Sequence, residues 1–370
     1  MADSVLILSG IYPPDVGGPA KFADVFSKWL SSRKWPVRVV SLCDSKSHQE
    51  IFQNIQVTLV SRKKKLPQRY LATVFQIYLN SLKVKYILAN GLFIEVWIAS
   101  KIFGLDYAVK VPGDIVWERA KNHSVTTKNV DDFQVEKLNW KYQIFRSLYS
   151  RCLRHATDVI VPSGHLFQLC ELWGVQRNRI HLIHNSVFTD RFTPTEQKVD
   201  FDVLTVARLV KWKGIDEIIR VCGQNNLKLL IVGDGPEMND LKNIAHDISA
   251  QVTFTGDIAQ GGLVSYYSRS RCFVLNSNFE ASSYSLLEAM ACSLPVIASR
   301  NTGSAEVVRH KIDGLLTDEN YSLQEALGDL FANPDSLFVI GRSARQRVLS
   351  HFNSEVNFEK ISNIFSQKSI

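Results

Sequence analysis

The chain lacks any apolar run close to the ~20 residues that a membrane-spanning helix needs, which excludes that class of membrane protein. It also lacks an N-terminal charged segment followed by an apolar stretch and a cleavage site, which argues against a secretory signal. The apolar run Val5–Ser9 is too short for such a segment and is typical of a buried strand. These absences predict a cytoplasmic protein.

Cysteine is sparse, and its placement argues against two structural uses of this residue, disulfide bonds and zinc binding. The six cysteines are scattered without a Cys-x-x-Cys pair: Cys43, Cys152, Cys170, Cys222, Cys272 and Cys292. This spacing argues against a disulfide framework and against a zinc site, and it fits a reducing cytosol. His181 and His184 are three residues apart without acidic or cysteine neighbours. We therefore expect no bound metal and no cofactor.

Positive charge is concentrated in one half of the chain. Residues 1–195 contain 26 Lys and Arg against 15 Asp and Glu, a net of +11, whereas residues 196–370 contain 17 against 21, a net of −4. The two halves sum to the formal charge of +7. The basic half is expected to attract an anionic partner, and a membrane face, a phospholipid-linked acceptor and nucleic acid all fit.

Short β-rich runs alternate with amphipathic helices in both halves, and 370 residues are enough for two domains. The predicted strands are Val5–Ser9, Val37–Leu42, Tyr86–Ala89, Tyr107–Val111, Thr157–Val161, Ile180–Ile183, Asp202–Ala207, Leu227–Val232, Gln251–Phe254, Cys272–Leu275 and Pro295–Ala298. Repeated βα units predict an α/β protein of two doubly wound, Rossmann-like domains with a hinge near residues 188–200.

A glycine-rich loop, residues 9–19, follows the first predicted strand and ends where Pro19 opens a helix. Gly17 and Gly18 would let the backbone approach a ligand closely, and free amides at a helix start suit a phosphate. A plain βα turn is an equally good explanation of this loop. The loop is neither a Walker loop nor a Gly-x-Gly-x-x-Gly fingerprint.

Basic side chains and a second glycine turn follow the first strands of the second half. Arg208 lies where a strand ends, the ligand-facing rim of a parallel sheet, and together with Lys213 it would neutralise a diphosphate. A solvated basic turn is the alternative. Residues 233–237, Gly-Asp-Gly-Pro-Glu, are typical of a tight turn, with Pro236 predicted at a first helical position.

Two glutamates eight residues apart carry the strongest signal. Glu280 is predicted in the loop after the strand Cys272–Leu275, and Glu288 in the first turns of the next helix. This spacing suits two separate polar groups of one extended ligand, such as a sugar and a ribose. Amides around Ser285–Leu287 would hold a phosphate between them. Two solvated surface glutamates are the alternative, which the apolar residues flanking Glu288 disfavour.

Seven motifs occur together and in order: Gly17-Gly18-Pro19, Arg208-x4-Lys213-Gly214, Gly233-Asp234-Gly235-Pro236-Glu237, Glu280-x7-Glu288 with Ala289-Met290-Ala291, Leu294-Pro295-Val296-Ile297-Ala298, Gly303-x-x-Glu306 and Asp313-Gly314-Leu315-Leu316. The chain thereby resembles glycosyltransferase family four of the GT-B superfamily, most specifically over residues 202–316. The first half matches more thinly, through the glycine loop, Val161-Pro162-Ser163 and His184-Asn185. The resemblance implies two domains facing each other across a cleft.

The resemblance also implies a function and a domain division. Residues 1–190, joined by a helix at about 352–370, would bind the acceptor, and residues 191–351 would bind a nucleotide-sugar, with UDP favoured. The implied reaction is metal-independent hexose transfer with retention at the anomeric carbon. Same-face attack, in which the leaving phosphate accepts the acceptor's proton, needs no protein nucleophile.

The site residues implied by the resemblance divide by the part of the donor that they contact. Gly17, Gly18, Arg208 and Lys213 would bind the diphosphate, while Glu280 would contact the sugar hydroxyls and Glu288 the ribose hydroxyls. The backbone at Ser285, Leu286 and Leu287 would touch ribose and phosphate, and Gly233 and Thr255 would lie near the base. Arg208, Lys213 and Glu280 would thus act in catalysis as well as in binding.

The chain departs from the family pattern at three places. Ser283-Tyr284-Ser285 stands where Gly-Leu-Pro is common, and Asn185-Ser186 replaces an Asn-Gly turn. Where many relatives have a histidine, the corresponding window is Val111-Pro112-Gly113-Asp114, which resembles a bacterial polysaccharide-assembly subgroup. Asp114 would then be catalytic by taking the histidine's place, although an ordinary loop aspartate is the alternative.

Basic and aromatic clusters predict the acceptor side. One comprises Arg62–Lys65 with Arg69 and Tyr70; the other comprises Lys137, Trp140, Lys141, Tyr142, Arg146 and Tyr149 on a predicted helix. Such clusters favour an anionic membrane surface and predict peripheral contact with the inner face of the cell membrane, near a lipid-linked saccharide acceptor. A solvated run of charges is the alternative.

Three other functions compete with this one. A non-catalytic protein that binds a nucleotide-sugar or a glycan on the same fold would bind without transfer. A nucleic-acid-binding protein is disfavoured because no nucleic-acid motif is present, so no nucleic-acid partner is predicted. A sugar-phosphate synthase with a soluble acceptor would have no need of the basic first half.

Overall fold

The computed structural model describes residues 3–258, 260–300 and 303–366. The chain divides into two compact units: unit one comprises Met1–Ile183 with Phe358–Ile370, and unit two comprises His184–Asn357. The predicted division lies at residue 190, with a return at about residue 352. Residues 367–370 of that predicted return lie outside the described residues.

Unit one contains an eight-stranded sheet flanked by helices. Its strands are β1 Val5–Leu8, β2 Val37–Cys43, β3 His48–Phe52, β4 Ile55–Ser61, β5 Tyr86–Ala89, β6 Ala108–Lys110, β7 Val159–Val161 and β8 Ile180–Leu182. Its helices are α1 Gly18–Ser32, α2 Leu66–Ser81, α3 Phe93–Phe103, α4 Ile115–Asn122, α5 Val130–Val135, α6 Trp140–His155 and α7 Gly164–Leu172. Ser163 caps α7 by accepting from the Leu166 amide.

Unit two contains a six-stranded sheet. Its strands are β9 Phe201–Val206, β10 Leu229–Val232, β11 Val252–Phe254, β12 Ser270–Leu275, β13 Val296–Ser299 and β14 Leu315–Thr317. Its helices are α8 Ile215–Gln224, α9 Met238–Asp247, α10 Gln260–Ser268, α11 Tyr284–Ala291, α12 Ser304–Val307, α13 Leu323–Ala332 and α14 Pro334–His351, and α15 Ser354–Ser366 follows. Pro236 precedes α9 by two residues, so the prediction that it begins the helix is wrong.

Both sheets are doubly wound. The order in unit two is β11-β10-β9-β12-β13-β14, all parallel, so the strand order reverses between β9 and β12. The order in unit one is β3-β4-β2-β1-β5-β6-β7-β8, with a reversal between β1 and β5. Ligands of such sheets bind beyond the carboxyl ends of the strands at this reversal. The predicted class, two parallel-sheet Rossmann-like units, is confirmed.

An aromatic cluster attaches the end of the chain to unit one. Phe22, Phe26 and Trp29 occupy one buried face of α1, at the three- and four-residue spacing of a helix. Phe358 of α15 packs edge-on against Phe26 with ring centroids 5.1 Å apart. Burial of four aromatic side chains in one cluster explains why α15, from Phe358 onward, belongs to this unit.

Three strands are absent from the prediction. β3 and β4 form an antiparallel hairpin whose two turn residues, Gln53 and Asn54, both have positive φ, the geometry of a type I′ turn. Neither turn residue is a glycine, so the usual hairpin signal was missing. β14 is only three residues long, and it is recognisable as a strand only through its pairing with β13.

Candidate active site

The loop between β12 and α11 forms the centre of the candidate site. β12 lies at the strand-order reversal, so this loop emerges where a doubly wound sheet binds its ligands. Ser283 caps α11 by accepting from the Leu286 amide at 3.3 Å. Glu280 lies in the loop and Glu288 lies in the second turn of the helix.

Lys213 and Glu280 are ion-paired, although 67 residues separate them in sequence. Lys213 ends a short 3-10 turn after β9, and Glu280 follows β12, so the reversal of strand order brings the two together. The Ser277 hydroxyl also donates to the same carboxylate oxygen, Glu280 Oε1, at 2.7 Å. The lysine and the serine together hold the Glu280 carboxylate in one orientation.

Gly303 supports the Glu280 loop from behind. Its amide donates to the Glu280 carbonyl at 2.8 Å. A Cβ at position 303 would lie 2.2 Å from the Ala281 carbonyl oxygen, closer than side chains are tolerated. The first residue of the Gly-x-x-Glu motif is therefore required by a close approach of two backbone segments.

Glu288 is buried, with a relative exposure of 1%. The Tyr267 hydroxyl, from α10, donates to Glu288 Oε2 at 3.0 Å and lies 3.3 Å from the Ser285 carbonyl. Burial raises the pKa of Tyr267 well above its ordinary value, so the hydroxyl keeps its proton and acts as a donor. A buried carboxylate needs such donors because burial removes its water.

Arg208 lies at the end of β9 with its side chain exposed. The loop that carries it crosses a glycine turn closely: a Cβ at Gly233 would lie 2.1 Å from the Ala207 carbonyl oxygen, and one at Gly235 would lie 2.3 Å from that of Leu209. Gly233 therefore has a steric role, because a side chain at this position would collide with the backbone of the loop that carries Arg208. Its predicted contact with a base stays a prediction.

The remaining predicted contacts of unit two lie around α11 and β11. Thr255 is half-buried after β11, and its amide donates to the Ile231 carbonyl. The amides of Leu286 and Leu287 donate to the Ser283 hydroxyl and carbonyl, and both side chains are buried in the core. Ser285 is half-buried, with its hydroxyl 3.0 Å from that of Ser283.

Two departures from the family pattern contact each other. The Tyr284 hydroxyl donates to Asn185 Oδ1 at 3.3 Å, and Asn185 Nδ2 donates to the Ser282 carbonyl at 2.9 Å. The segment that begins unit two is thereby bonded to the loop between the two glutamates. Paired polar groups of this kind depend on each other, so the two departures are one structural feature.

In unit one, Arg62 fixes the glycine-rich loop. Its guanidinium donates to the Gly10 carbonyl at 3.0 Å and is ion-paired with Asp15 and Asp44. Gly17 and Gly18, farther along this loop, are exposed. Their predicted contact with a diphosphate stays a prediction. Arg62 itself is a loop anchor, which corrects its assignment to a free basic surface.

Asp114 is the N-cap of α4, and its side chain is 1% exposed. Its Oδ1 accepts from the amides of Val116 and Trp117, each at 3.0 Å, and its Oδ2 accepts from Gln134 Nε2 at 2.9 Å. Burial raises the pKa of Asp114 despite these hydrogen bonds. With both oxygens engaged and no exposed face, Asp114 has the geometry of a capping residue, and the idea that it takes a catalytic histidine's place finds no support here.

The second predicted acceptor cluster is only partly a surface. Lys137, Trp140 and Lys141 are exposed, and Lys137 lies outside α6, which begins at Trp140. Tyr149 is buried, and Arg146 donates to backbone carbonyls of the α5 region, the closest being that of Phe133 at 2.7 Å. These last two residues hold unit one together, so their assignment to an acceptor surface is wrong.

Within the part of the chain that the structure describes, no helix is long and apolar enough to cross a membrane. No group of three or more His, Cys, Asp and Glu side chains there is arranged to hold a metal ion.

Known proteins share this fold and part of this sequence. Residues 187–347 match the family model described as glycosyl transferases group 1. The chain is 28% identical to the GDP-mannose-dependent alpha-(1-6)-phosphatidylinositol monomannoside mannosyltransferase of Mycobacterium tuberculosis over 166 residues. The aligned segment covers 40% of this chain and 43% of that protein. The chain spans about half the length of the curated relatives it matches.

Solved structures match over nearly the whole chain. Sucrose-phosphate synthase from Thermosynechococcus elongatus superposes with a TM-score of 0.82 at 20% identity, covering 99% of this chain and 98% of that one. HepE from Anabaena, in complex with UDP and glucose, superposes with a TM-score of 0.80 at 18% identity, covering 99% and 100%. The chain has the GT-B fold, and the matched part of its second unit is similar to the glycosyl transferases group 1 family.

This GT-B assignment confirms the resemblance read from the motifs. The family match begins at Val187 and ends at Arg347, and thus contains Lys213, Glu280 and Glu288. Two residues that support the glutamates of unit two, Tyr267 and Ser277, were absent from the prediction, and in unit one so was the role of Arg62 as an anchor of the glycine-rich loop. Ser277 is three residues from Glu280 and was within reach of sequence reasoning, whereas nothing distinguishes Tyr267 from its neighbour Tyr266 before the fold is known.

Proposed function

We propose that the chain is a metal-independent glycosyltransferase that moves a hexose-type sugar from a nucleotide-sugar to an acceptor with retention at the anomeric carbon. The observation that carries the proposal is the arrangement in unit two. Lys213 pairs with Glu280 at the strand-order reversal, and Glu288 lies on the helix that follows the same loop. A cation, a sugar-binding carboxylate and a ribose-binding carboxylate match the three polar parts of a nucleotide-sugar.

The residues divide the reaction among them. Arg208 and Lys213 bind the diphosphate and stabilise its charge as the bond from the anomeric carbon to the phosphate oxygen breaks. Glu280 orients the sugar hydroxyls. The acceptor oxygen attacks the same face, its new bond to the anomeric carbon forms, and its proton passes to the departing phosphate oxygen. The chain's side chains thus bind and orient, and no covalent intermediate is required.

The base of the donor is the part that experiment must identify. HepE was solved with UDP, whereas the mycobacterial relative is named as GDP-mannose-dependent. We favour UDP. Calorimetric titration with UDP, GDP and ADP in excess EDTA would identify the base and test metal independence together.

The titration needs a variant and a matched control. We expect one nucleotide to bind without metal, and Glu288→Ala to weaken that binding by about ten-fold or more because the ribose loses a charged acceptor. Glu319→Ala removes an exposed glutamate of the same unit and should leave affinity unchanged. A folded sample that binds none of the three nucleotides contradicts the proposal.

Transfer itself is tested on the nucleotide-sugars of the base that binds. Bound nucleotide without any transfer to a membrane-lipid extract would favour the non-catalytic binding protein. Nuclear magnetic resonance of the product gives the anomeric configuration directly, and an inverted product would contradict retention.

A membrane-associated, lipid-linked acceptor is supported by the outer face of α2. Its exposed apolar residues recur at helical spacing, with relative exposures of 72% for Leu71, 54% for Phe75 and 38% for Leu79, and the C-cap Leu82 at 60% continues the stripe. Between Glu50 and Glu95 there is no acidic residue, whereas Lys63, Lys64 and Lys65 precede the helix and Lys83 and Lys85 follow it. An apolar stripe between exposed lysines suits an anionic bilayer surface.

A further inference from the structure

The position of Tyr267 suggests a role that the motifs do not assign. Tyr267 is the last residue but one of α10, and its side chain is 1% exposed. Its ring packs against Phe273 of β12, with centroids 6.1 Å apart, and edge-on against Phe192 at 6.3 Å. A ring enclosed by the core on this scale has one orientation, so its hydroxyl occupies a fixed point.

That fixed point lies at the Glu288 carboxylate. The hydroxyl is 3.0 Å from Glu288 Oε2 and 3.3 Å from the Ser285 carbonyl, so both acceptors belong to α11. The hydroxyl has one proton, and the carboxylate oxygen of Glu288 is the nearer of the two acceptors. A glutamate side chain rotates about three bonds, and an anchored oxygen removes most of that freedom before a ligand arrives.

We propose that Tyr267 is a positioning residue for nucleotide recognition, which holds Glu288 in the orientation that receives the ribose hydroxyls. The inference rests on the proposed donor site. It adds to that site a residue that contacts no substrate and acts chiefly through Glu288, the nearer of its two acceptors on α11. The loss of its hydroxyl should therefore affect recognition of the ribose and spare the diphosphate and the base.

The test compares nucleotides with and without ribose hydroxyls. Calorimetry is run with UDP and GDP to find the base that binds, and then with the 2′,3′-dideoxy form of that nucleotide. In the wild type, the affinity for the natural nucleotide divided by the affinity for its dideoxy form measures how strongly the ribose hydroxyls are recognised. We expect Tyr267→Phe to lower this ratio about ten-fold, chiefly by weakening the binding of the natural nucleotide, because Glu288 loses the hydrogen bond that orients it.

Tyr266 supplies the matched control. It is the adjacent residue, half-buried against the same core, and no hydrogen bond of its hydroxyl is among the contacts of the described residues. Tyr266→Phe should keep the wild-type ratio, and Glu288→Gln should lower it at least as much as Tyr267→Phe. A wild-type ratio in Tyr267→Phe overturns the inference. So does an equal loss for both nucleotides, which would indicate general damage to the pocket.

A comparison of a double variant with Glu288→Gln keeps the inference testable even if Tyr267→Phe fails to fold. The double variant Tyr267→Phe, Glu288→Gln contains no buried carboxylate that has lost its donor. If Tyr267 acts chiefly through Glu288, the double variant has the ratio of Glu288→Gln, and a further loss overturns the inference. If the proposed donor site itself is wrong, no nucleotide binds the wild type, and this result differs from every outcome that tests Tyr267.

Discussion

Lys213 and Glu280 neutralise each other in unit two, although each is expected to contact a different part of the donor. The lysine is assigned to the diphosphate and the glutamate to the sugar, and they share one ion pair with relative side-chain exposures of 17% and 11%. Any ligand that draws the lysine toward a phosphate must weaken this pair. Binding of the diphosphate at Lys213 is therefore coupled to the charge of Glu280. Whether Glu280 strengthens or weakens diphosphate binding can be measured.

At this residue scale we predict opposite effects of Glu280→Gln on two ligands. The affinity for the nucleoside diphosphate alone should rise about three-fold, because Lys213 no longer has a competing carboxylate. Transfer from the nucleotide-sugar should fall about 100-fold, because the sugar loses its charged acceptor. Isothermal titration gives the first quantity and initial rates of transfer give the second.

Asp216→Asn is the control for this prediction. Asp216 is an exposed acid in the first turn of α8, and its substitution changes the net charge by the same amount without touching Lys213. It should leave both quantities within two-fold of wild type. A nucleoside diphosphate that binds Glu280→Gln more weakly than wild type would show that the ion pair supports phosphate binding.

At the scale of a secondary-structure element, the start of α4 depends on one carboxylate. Asp114 accepts from two backbone amides and from Gln134, and Gln134 in turn accepts from the Trp173 indole at 2.8 Å. This chain of bonds ties α4, α5 and the end of α7 together. It explains why a residue that stands in a catalytic window is instead buried.

We predict that Asp114→Ala destabilises the protein by about 2–3 kcal/mol, since it removes a buried cap and one of the two hydrogen bonds donated by Gln134 Nε2. Asn129→Ala, at the exposed N-cap of α5, should cost about 1 kcal/mol or less. Urea unfolding measures both. If Asp114→Ala abolishes transfer without loss of stability, the carboxylate has a catalytic role after all.

The same carboxylate should make stability depend on pH. The pKa of Asp114 is raised above its ordinary value of 3.8 in the folded protein, so its ionisation opposes folding. The stability that the protonated form contributes is complete below the unfolded pKa and is lost as pH rises through the folded one. Relative to Asp114→Asn, the wild type should therefore lose stability as pH rises from about 4 toward neutrality in urea titrations.

At the scale of the whole molecule, charge and exposed apolar surface occur together. The net +11 of residues 1–195 includes the lysines on either side of α2, and α2 is the helix with an exposed apolar stripe. Each exposed lysine contributes roughly 1 kcal/mol of attraction to an anionic bilayer, and the apolar side chains add burial in the interface. The acceptor of the proposed reaction would then lie at the same surface.

We predict that the protein floats with vesicles of 30% phosphatidylglycerol in phosphatidylcholine and stays in solution with pure phosphatidylcholine. The double variant Leu71→Ser, Phe75→Ser should reduce vesicle affinity about ten-fold or more, because two interfacial side chains are lost. The matched control Phe338→Ser, Val339→Ser removes residues of similar exposure, 68% and 61%, from unit two and should float like wild type. Equal binding by all variants would refute the role of α2.

Local patterns in the sequence predicted most of the elements and the family. The 3.6-residue spacing of Phe22, Phe26 and Trp29, the short apolar strands and the order of the glycine and glutamate motifs are properties of neighbouring residues, which the chain contains before it folds. Strands that depend on a partner, such as β3 and β14, carry a weaker local signal and were missed.

The tertiary structure alone decided which side chains meet. The strand-order reversal joins Lys213 to Glu280 across 67 residues, the core aims Tyr267 at Glu288, and Arg62 reaches the glycine loop 52 residues away. It also buried Asp114 as a cap, where the motif alone suggested catalysis. The physical reason is that hydrogen bonds and ion pairs depend on distance in space. The sequence gives only the separation of residues along the chain, and the fold determines how far apart they lie.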